Sequence, residues 1–269
     1  MLPTLTLAAA LALAPSQGAG KLDLTNLRVT HGLQGATRTS AKFLPGDPVF
    51  LAFDIDGITI GPDGKVVYTM GLEVKDKAGK SWHKVDPTER VEFAPLGGKK
   101  MPGRAFVTLG VDAPPGEYTV KLTTVDGVSK AAGEFEYKFE VLKTELGIIA
   151  AYCSQDPEGK QPAHTTGFVG GMVWVQFAAT GFKRSEAKKN QPDLKFEMTT
   201  LDETGKPTLA KPLVDEVTAL EDTFPLCPER FSLPLTRAGK FTVKLTVTDR
   251  VANKTATFDL PITVLPTDK

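Results

Sequence analysis

Hydrophobic and polar residues alternate with a period of two along much of this chain. Phe241, Val243, Leu245 and Val247 share one parity, and Thr242, Lys244, Thr246 and Thr248 the other. Tyr118, Val120 and Leu122 alternate in the same way with Thr119, Lys121 and Thr123, and so does Phe135-Glu-Tyr-Lys-Phe-Glu-Val141. Successive side chains of a strand point to opposite faces, so the pattern predicts strands that bury one face and wet the other, as in antiparallel sheets. Turn-forming clusters separate the runs: Pro62-Asp-Gly64, Lys77-Ala-Gly-Lys80, Pro114-Pro-Gly116, Asp202-Glu-Thr-Gly205 and Ala238-Gly239. No window of adequate length after Gly20 shows a 3.6-residue period, so the class is all-β.

The pattern also occurs twice. Gly116-Glu-Tyr-Thr-Val-Lys-Leu-Thr123 returns as Gly239-Lys-Phe-Thr-Val-Lys-Leu-Thr246, 123 residues on, and Asp126/Asp249 and Val141-Leu142/Val264-Leu265 keep that offset. Upstream, Gly46, Val49, Phe50, Leu51, Phe53 and Gly57 answer Gly170, Val173, Trp174, Val175, Phe177 and Gly181 at an offset of 124. An offset that changes by one residue means a small indel in one loop, so the chain holds an internal duplication. A length of 269 residues suits two domains, expected over 21–143 and 144–269. The junction Val141-Leu-Lys-Thr-Glu-Leu146 has no Gly, Pro or Ser, which predicts limited freedom between the two, set end to end or moderately bent.

Asp112-Ala-Pro-Pro-Gly-Glu-Tyr118, the alternating residues after it and Asp126 resemble the corner and following strand of immunoglobulin-like domains. The chain is similar to exported bacterial proteins made of two tandem immunoglobulin-like sandwiches of the fibronectin or macroglobulin kind. The resemblance implies that the Tyr118 hydroxyl bonds back to the upstream backbone. Phe241 occupies that place in the second copy and has no hydroxyl. Val120 and Val243 stand where antibody-type domains carry a cysteine. The fold expected is therefore a pair of antiparallel β-sandwiches, which by itself implies no chemistry.

Residues 1–20 carry no charged side chain. Leu2 to Ala14 is apolar, and Pro15-Ser-Gln-Gly-Ala-Gly20 follows as a small-residue zone. This reads as a signal peptide, too short to span a bilayer as an ordinary helix, although no Lys or Arg precedes it. The mature chain is expected to be exported, to the periplasm, cell surface or medium, with no transmembrane segment. Lys+Arg and Asp+Glu balance at 32 each, which disfavours a nucleic-acid partner.

The candidate chemistry is sparse. His31, His83 and His164 have no companion ligands at metal spacing, and no nucleophile elbow or phosphate-binding loop is present; Gly167-Phe-Val-Gly-Gly171 runs into a strand rather than a helix. Asp54-Ile-Asp56-Gly57 with Asp63 partly matches a calcium loop, but the remaining ligands are missing, and strand-end turn carboxylates are the favoured reading. Asp126 and Asp249 each read as turn residues whose side chain bonds the backbone two residues on. Cys153 and Cys227 fit a disulfide or two separate buried thiols equally.

Phe50 and Trp174 have opposite parity to their apolar neighbours and so fall on the outward face, matched in the two copies. They could form a contact platform for protein or sugar, although a covering loop carries more weight. Trp82 is a weaker aromatic candidate. The run Lys183-Arg-Ser-Glu-Ala-Lys-Lys189 reads as a solvated loop. No cofactor is implied. The reading is a non-enzymatic exported binding or structural module of the cell envelope, with an unknown envelope protein or glycan as partner. The alternatives are a carbohydrate-binding protein using outward aromatics, a periplasmic chaperone-like client binder that donates the strand 135–141, and, last, a hydrolase.

Overall fold

The computed structural model describes residues 21–267; the segment read as a signal peptide lies outside them. The first copy consists of β1 (Asp23–Thr30), β2 (Lys42–Phe43), β3 (Pro48–Asp56), β4 (Lys65–Asp76), β5 (Ser81–Phe93), β6 (Lys100–Thr108), β7 (Gly116–Asp126) and β8 (Ala132–Val141). They form two sheets, ordered β1-β3-β6 and β2-β8-β7-β4-β5. The second copy consists of β9 (Gly147–Ser154), β10 (Pro162–Ala163), β11 (Thr166–Phe168), β12 (Met172–Thr180), β13 (Leu194–Asp202), β14 (Leu213–Val217), β15 (Cys227–Pro234), β16 (Gly239–Asp249) and β17 (Lys254–Leu265). Its sheets are ordered β10-β9-β12-β15 and β11-β17-β16-β13-β14. The named strands pair antiparallel except β2 with β8 and β11 with β17, so a short strand running parallel to the last strand recurs in both copies.

The period-two pattern explains how the sheets face each other. Val49, Leu51, Phe53 and Ile55 of β3 and Val120 and Leu122 of β7 are all buried in one core. Val175 and Phe177 of β12 and Val243, Leu245 and Val247 of β16 do the same in a second. Each such side chain contributes about 1.5–3 kcal/mol by leaving water.

The duplication reaches irregular features that hydrophobicity does not encode. β1 and β9 each carry a bulge, at Asn26 and Ala150, and both residues have φ of 52°. The Asp76 carboxylate accepts the amides of Ala78 and Lys80, and Asp202 accepts those of Thr204 and Lys206. Asp126 and Asp249 go further than an ordinary turn. Asp126 accepts the amides of Val128 and Ser129 on one oxygen and that of Thr59, across the sandwich, on the other. Asp249 repeats this with Val251, Ala252 and Lys183.

The corner expected from the resemblance is present: the Tyr118 hydroxyl donates to the Pro114 carbonyl at 2.8 Å. In the second copy the Arg237 guanidinium lies 5.0 Å from the centroid of the Phe241 ring, so a cation–π contact stands where the hydroxyl is missing.

Candidate functional site

The outward face of the β1-β3-β6 sheet is built by parity. Phe50 lies between Thr30 of β1 and Phe106 of β6, and in the next outward row Ala52 lies between Arg28 and Arg104. The Phe50 and Phe106 rings are 5.9 Å apart. Phe106 is 56 % exposed, on a strand whose other edge pairs with no named strand. Arg28 and Arg104 are exposed as well. Two phenyl rings beside two guanidinium groups make a compact patch, of a composition enriched at protein interfaces. Phe50 was legible from its parity in the sequence. Phe106, Arg28 and Arg104 were not, because their neighbourhood depends on strand order.

Trp174 has a different setting. It lies between Ser154 and Ser232 on the outward face of its own sheet and is half-buried. The loop 155–161 folds over the neighbouring part of this face. The Gln176 side-chain amide donates to Ser154 Oγ at 2.9 Å and to the Pro157 carbonyl at 3.1 Å, and the Tyr152 hydroxyl donates to the Gly159 carbonyl. A covering loop is thus part of the second sandwich, and Phe50 and Trp174 do not share a surface.

Asp54, Asp56 and Asp63 do not converge. Asp54 accepts Asn26 Nδ2. Asp56 accepts the Thr25 hydroxyl at 2.7 Å and pairs with Lys100, which together hold its carboxyl below the usual range. Asp63 accepts the Lys65 amide within its own turn. Among the described residues no three His, Cys, Asp or Glu side chains gather as metal ligands.

Cys153 and Cys227 are buried free thiols, and the disulfide alternative is not formed. They flank β12, Cys153 opposite Val175 and Cys227 opposite Ala179. Two strand spacings separate them by about 10 Å before their offset along the strand is counted, whereas a disulfide needs Cα atoms within about 7 Å. Burial pushes both thiols up, to about 12 and about 11 respectively, which makes them poor nucleophiles. The basic run 183–189 is more than a solvated loop. Arg184 donates to the carbonyls of Leu220, Glu221 and Phe224 and so ties down the segment before β15.

A polar cluster at the junction of the two copies went unread in the sequence. Asp47 is buried and pairs with Arg38 at 2.9 Å; its other oxygen accepts the Ala150 amide of β9 at 2.9 Å. The Arg38 guanidinium also lies 4.3 Å from the Phe43 ring centroid. His31 meets Phe258 edge-on at 5.4 Å, and its Nδ1 is buried without a partner. Ile149 is fully buried and packs by Gly46. The second copy has Gln155 and Gly171 in place of His31 and Asp47, so the cluster belongs to the junction and not to the repeat.

Burial, and after it the Arg38 charge, holds the His31 pKa down at about 4. The unfolded chain takes up that proton near pH 6.5, so it binds more protons between these values. Stability is then fully present above about pH 6.5 and is lost as pH falls toward 4. Because the ring is partly exposed, we expect a loss of about 2 kcal/mol. Asp47 acts in the opposite direction, since burial raises its carboxyl against the pull of Arg38. Chemical denaturation from pH 7.5 to 4.5 on wild type and His31→Gln isolates the histidine: the variant should lose the difference in slope, and identical slopes would refute the assignment.

No known protein family matches this chain, and no curated protein does. Among solved structures it is similar to the C-terminal domain of the Streptococcus pyogenes antigen I/II-family protein AspA, at 10 % identity over 91 % of this chain and 99 % of that one, with a TM-score of 0.29. The C-terminal domain of the Streptococcus agalactiae polypeptide BspA gives 9 % identity, 88 % and 99 % coverage, and a TM-score of 0.30. Red sea bream transglutaminase gives 12 % identity over 92 % of this chain, with a TM-score of 0.28, and the chain spans 32 % of that protein's length. A DNA glycosylase of Pseudomonas fluorescens, AlkC, matches 46 % of the chain, which spans 31 % of that enzyme, at a TM-score of 0.30. At this level of superposition none of these likenesses bears on function, and the architecture rests on the chain's own sheets and cores.

Proposed function

We propose that this chain is a non-enzymatic, exported module of two sandwiches, spanning 21–143 and 144–269, that recognises a protein partner through the outward β1-β3-β6 face. The observation that carries the reading is the exposed Phe106, paired with the half-buried Phe50 and flanked by the exposed Arg28 and Arg104. Burying two phenyl rings supplies contact area, and the two guanidinium groups favour a partner with acidic rim residues. Export is supported by the apolar N-terminal segment. Among the described residues no helix is long and apolar enough to cross a membrane.

A glycan site centred on Trp174 has less support, because its strand neighbours are Ser154 and Ser232 rather than a second aromatic, and a loop covers the adjoining part of its face. Strand donation by 135–141 has less support as well, since these residues are paired along β7. The test is cross-linked capture from the cell envelope of the source organism, followed by titration of the purified partner. Phe50→Ala/Phe106→Ala should weaken binding at least about 100-fold, as loss of a central aromatic anchor does, while circular dichroism shows the fold retained. Equal binding by wild type and this variant would refute the face.

A further inference from the structure

The two sandwiches also differ beside the tyrosine corner, where the duplication predicts they should match. In the first, Trp82 follows the Asp76 turn; its Nε1 donates to Asp76 at 2.9 Å and its ring meets Tyr118 edge-on at 6.2 Å. Tyr118 in turn stacks on Phe139 at 5.7 Å. The Asp76 and Asp202 turns share their hydrogen bonds, which aligns Trp82 with Thr208, and strand register aligns Tyr118 with Phe241 and Phe139 with Ile262. An indole has become a threonine, a phenol a phenyl, and a phenyl a butyl group.

The space is not refilled. β5 runs beside β4 for 13 residues, whereas β14 has five and leaves the far half of β13 without that neighbour. A cleft of about 210 Å³ opens there, lined by Thr208, Phe241 and Ile262. For comparison, an apolar cavity of about 150 Å³ accepts benzene. Its lining includes Lys211 and Arg237 and no Asp or Glu. Asp202, which feels the Arg237 charge, is itself taken up by the hydroxyl and amide of Thr204 and the amide of Lys206.

We propose that this cleft binds a small organic anion with a flat apolar body, an aryl carboxylate by chemical class. The ring occupies the place that the Trp82 indole fills in the other sandwich, and the carboxylate meets Arg237 and Lys211 at the mouth. The apolar lining rewards burial of the ring, and the two cations select for negative charge over a neutral ring of the same shape. The site lies in the second sandwich and is independent of the β1-β3-β6 face.

The test uses indole-3-propionate as probe, titrated into the full chain and followed by methyl chemical shifts of the cleft residues. Saturable binding is expected with a Kd of about 1 mM or tighter, the scale open to a ligand of this size. Thr208→Trp restores the first sandwich's own filling and should weaken binding at least about 10-fold; Ile262→Phe does the same from the cleft floor, should the first variant fail to fold. Arg237→Gln should weaken the acid about 10-fold and leave neutral 3-ethylindole unchanged. No saturation by about 10 mM, undiminished binding in the filled variants, or equal affinity for the acid and its neutral analogue would each overturn the proposal.

Discussion

Asp47→Ala is expected to destabilise the protein by about 3–5 kcal/mol, the cost of breaking a buried ion pair from one side. Asp47 joins the Arg38 guanidinium, itself largely buried, to the Ala150 amide of the second sandwich. Removing the carboxylate strands a buried cation and a backbone donor at once. The double variant Arg38→Met/Asp47→Leu removes both charges and keeps apolar volume, so it should cost far less, within about 2 kcal/mol of wild type. Urea unfolding measures both, and small-angle scattering reports whether the sandwiches keep their mutual orientation. A loss below about 1 kcal/mol for Asp47→Ala would place the pair with weakly contributing surface bridges.

Asp126→Ala and Asp249→Ala should each cost about 3–5 kcal/mol, and each in its own sandwich. Either change leaves three backbone amides without their acceptor, at about 1–3 kcal/mol for each that stays dry. Both carboxylates are completely buried. Asn retains one oxygen and turns an amide donor toward other donors, so it should recover only part of the loss. For Asp126, burial pushes the carboxyl up, but the amides of Thr59, Val128 and Ser129 outweigh it and the net shift is down. Its contribution is therefore present above the ordinary carboxylate range and is lost as pH falls through the lowered folded value. The chain's two tryptophans, Trp82 and Trp174, lie one in each sandwich, so fluorescence of single-Trp variants separates the two transitions. Parallel loss of both transitions in Asp126→Ala would refute a local role.

The candidate sites were legible unevenly, and the unevenness has a physical pattern. Phe50 could be placed because parity is a local property of one strand. Its neighbours Phe106, Arg28 and Arg104 come from strands 56 residues along and 22 residues back, and no local pattern announces such a pairing. Cys153 and Cys227 share one sheet, but their separation depends on β12 lying between them. The same holds for Asp54, Asp56 and Asp63, whose spacing suggested a loop while their partners on β1 and β6 engage two of them. The sequence marks Asp126 and Asp249 as turn residues, and the amides of Val128 and Val251 agree; the bonds to Thr59 and Lys183 cross the sandwich and are invisible along the chain.

By itself the sequence determined the all-β class and the strand faces, because alternation and turn chemistry act within about ten residues; the duplication showed as those local patterns returning in the same order, and the tyrosine corner was what the resemblance implied. Only the tertiary structure decided what the two copies do not share. The Asp47 junction, the Phe50–Phe106 face and the cleft beside Thr208 are made by residues distant in sequence. The free energy of a buried ion pair or an unfilled cavity depends on how many partners surround it in space, and alternation along one strand carries no record of that.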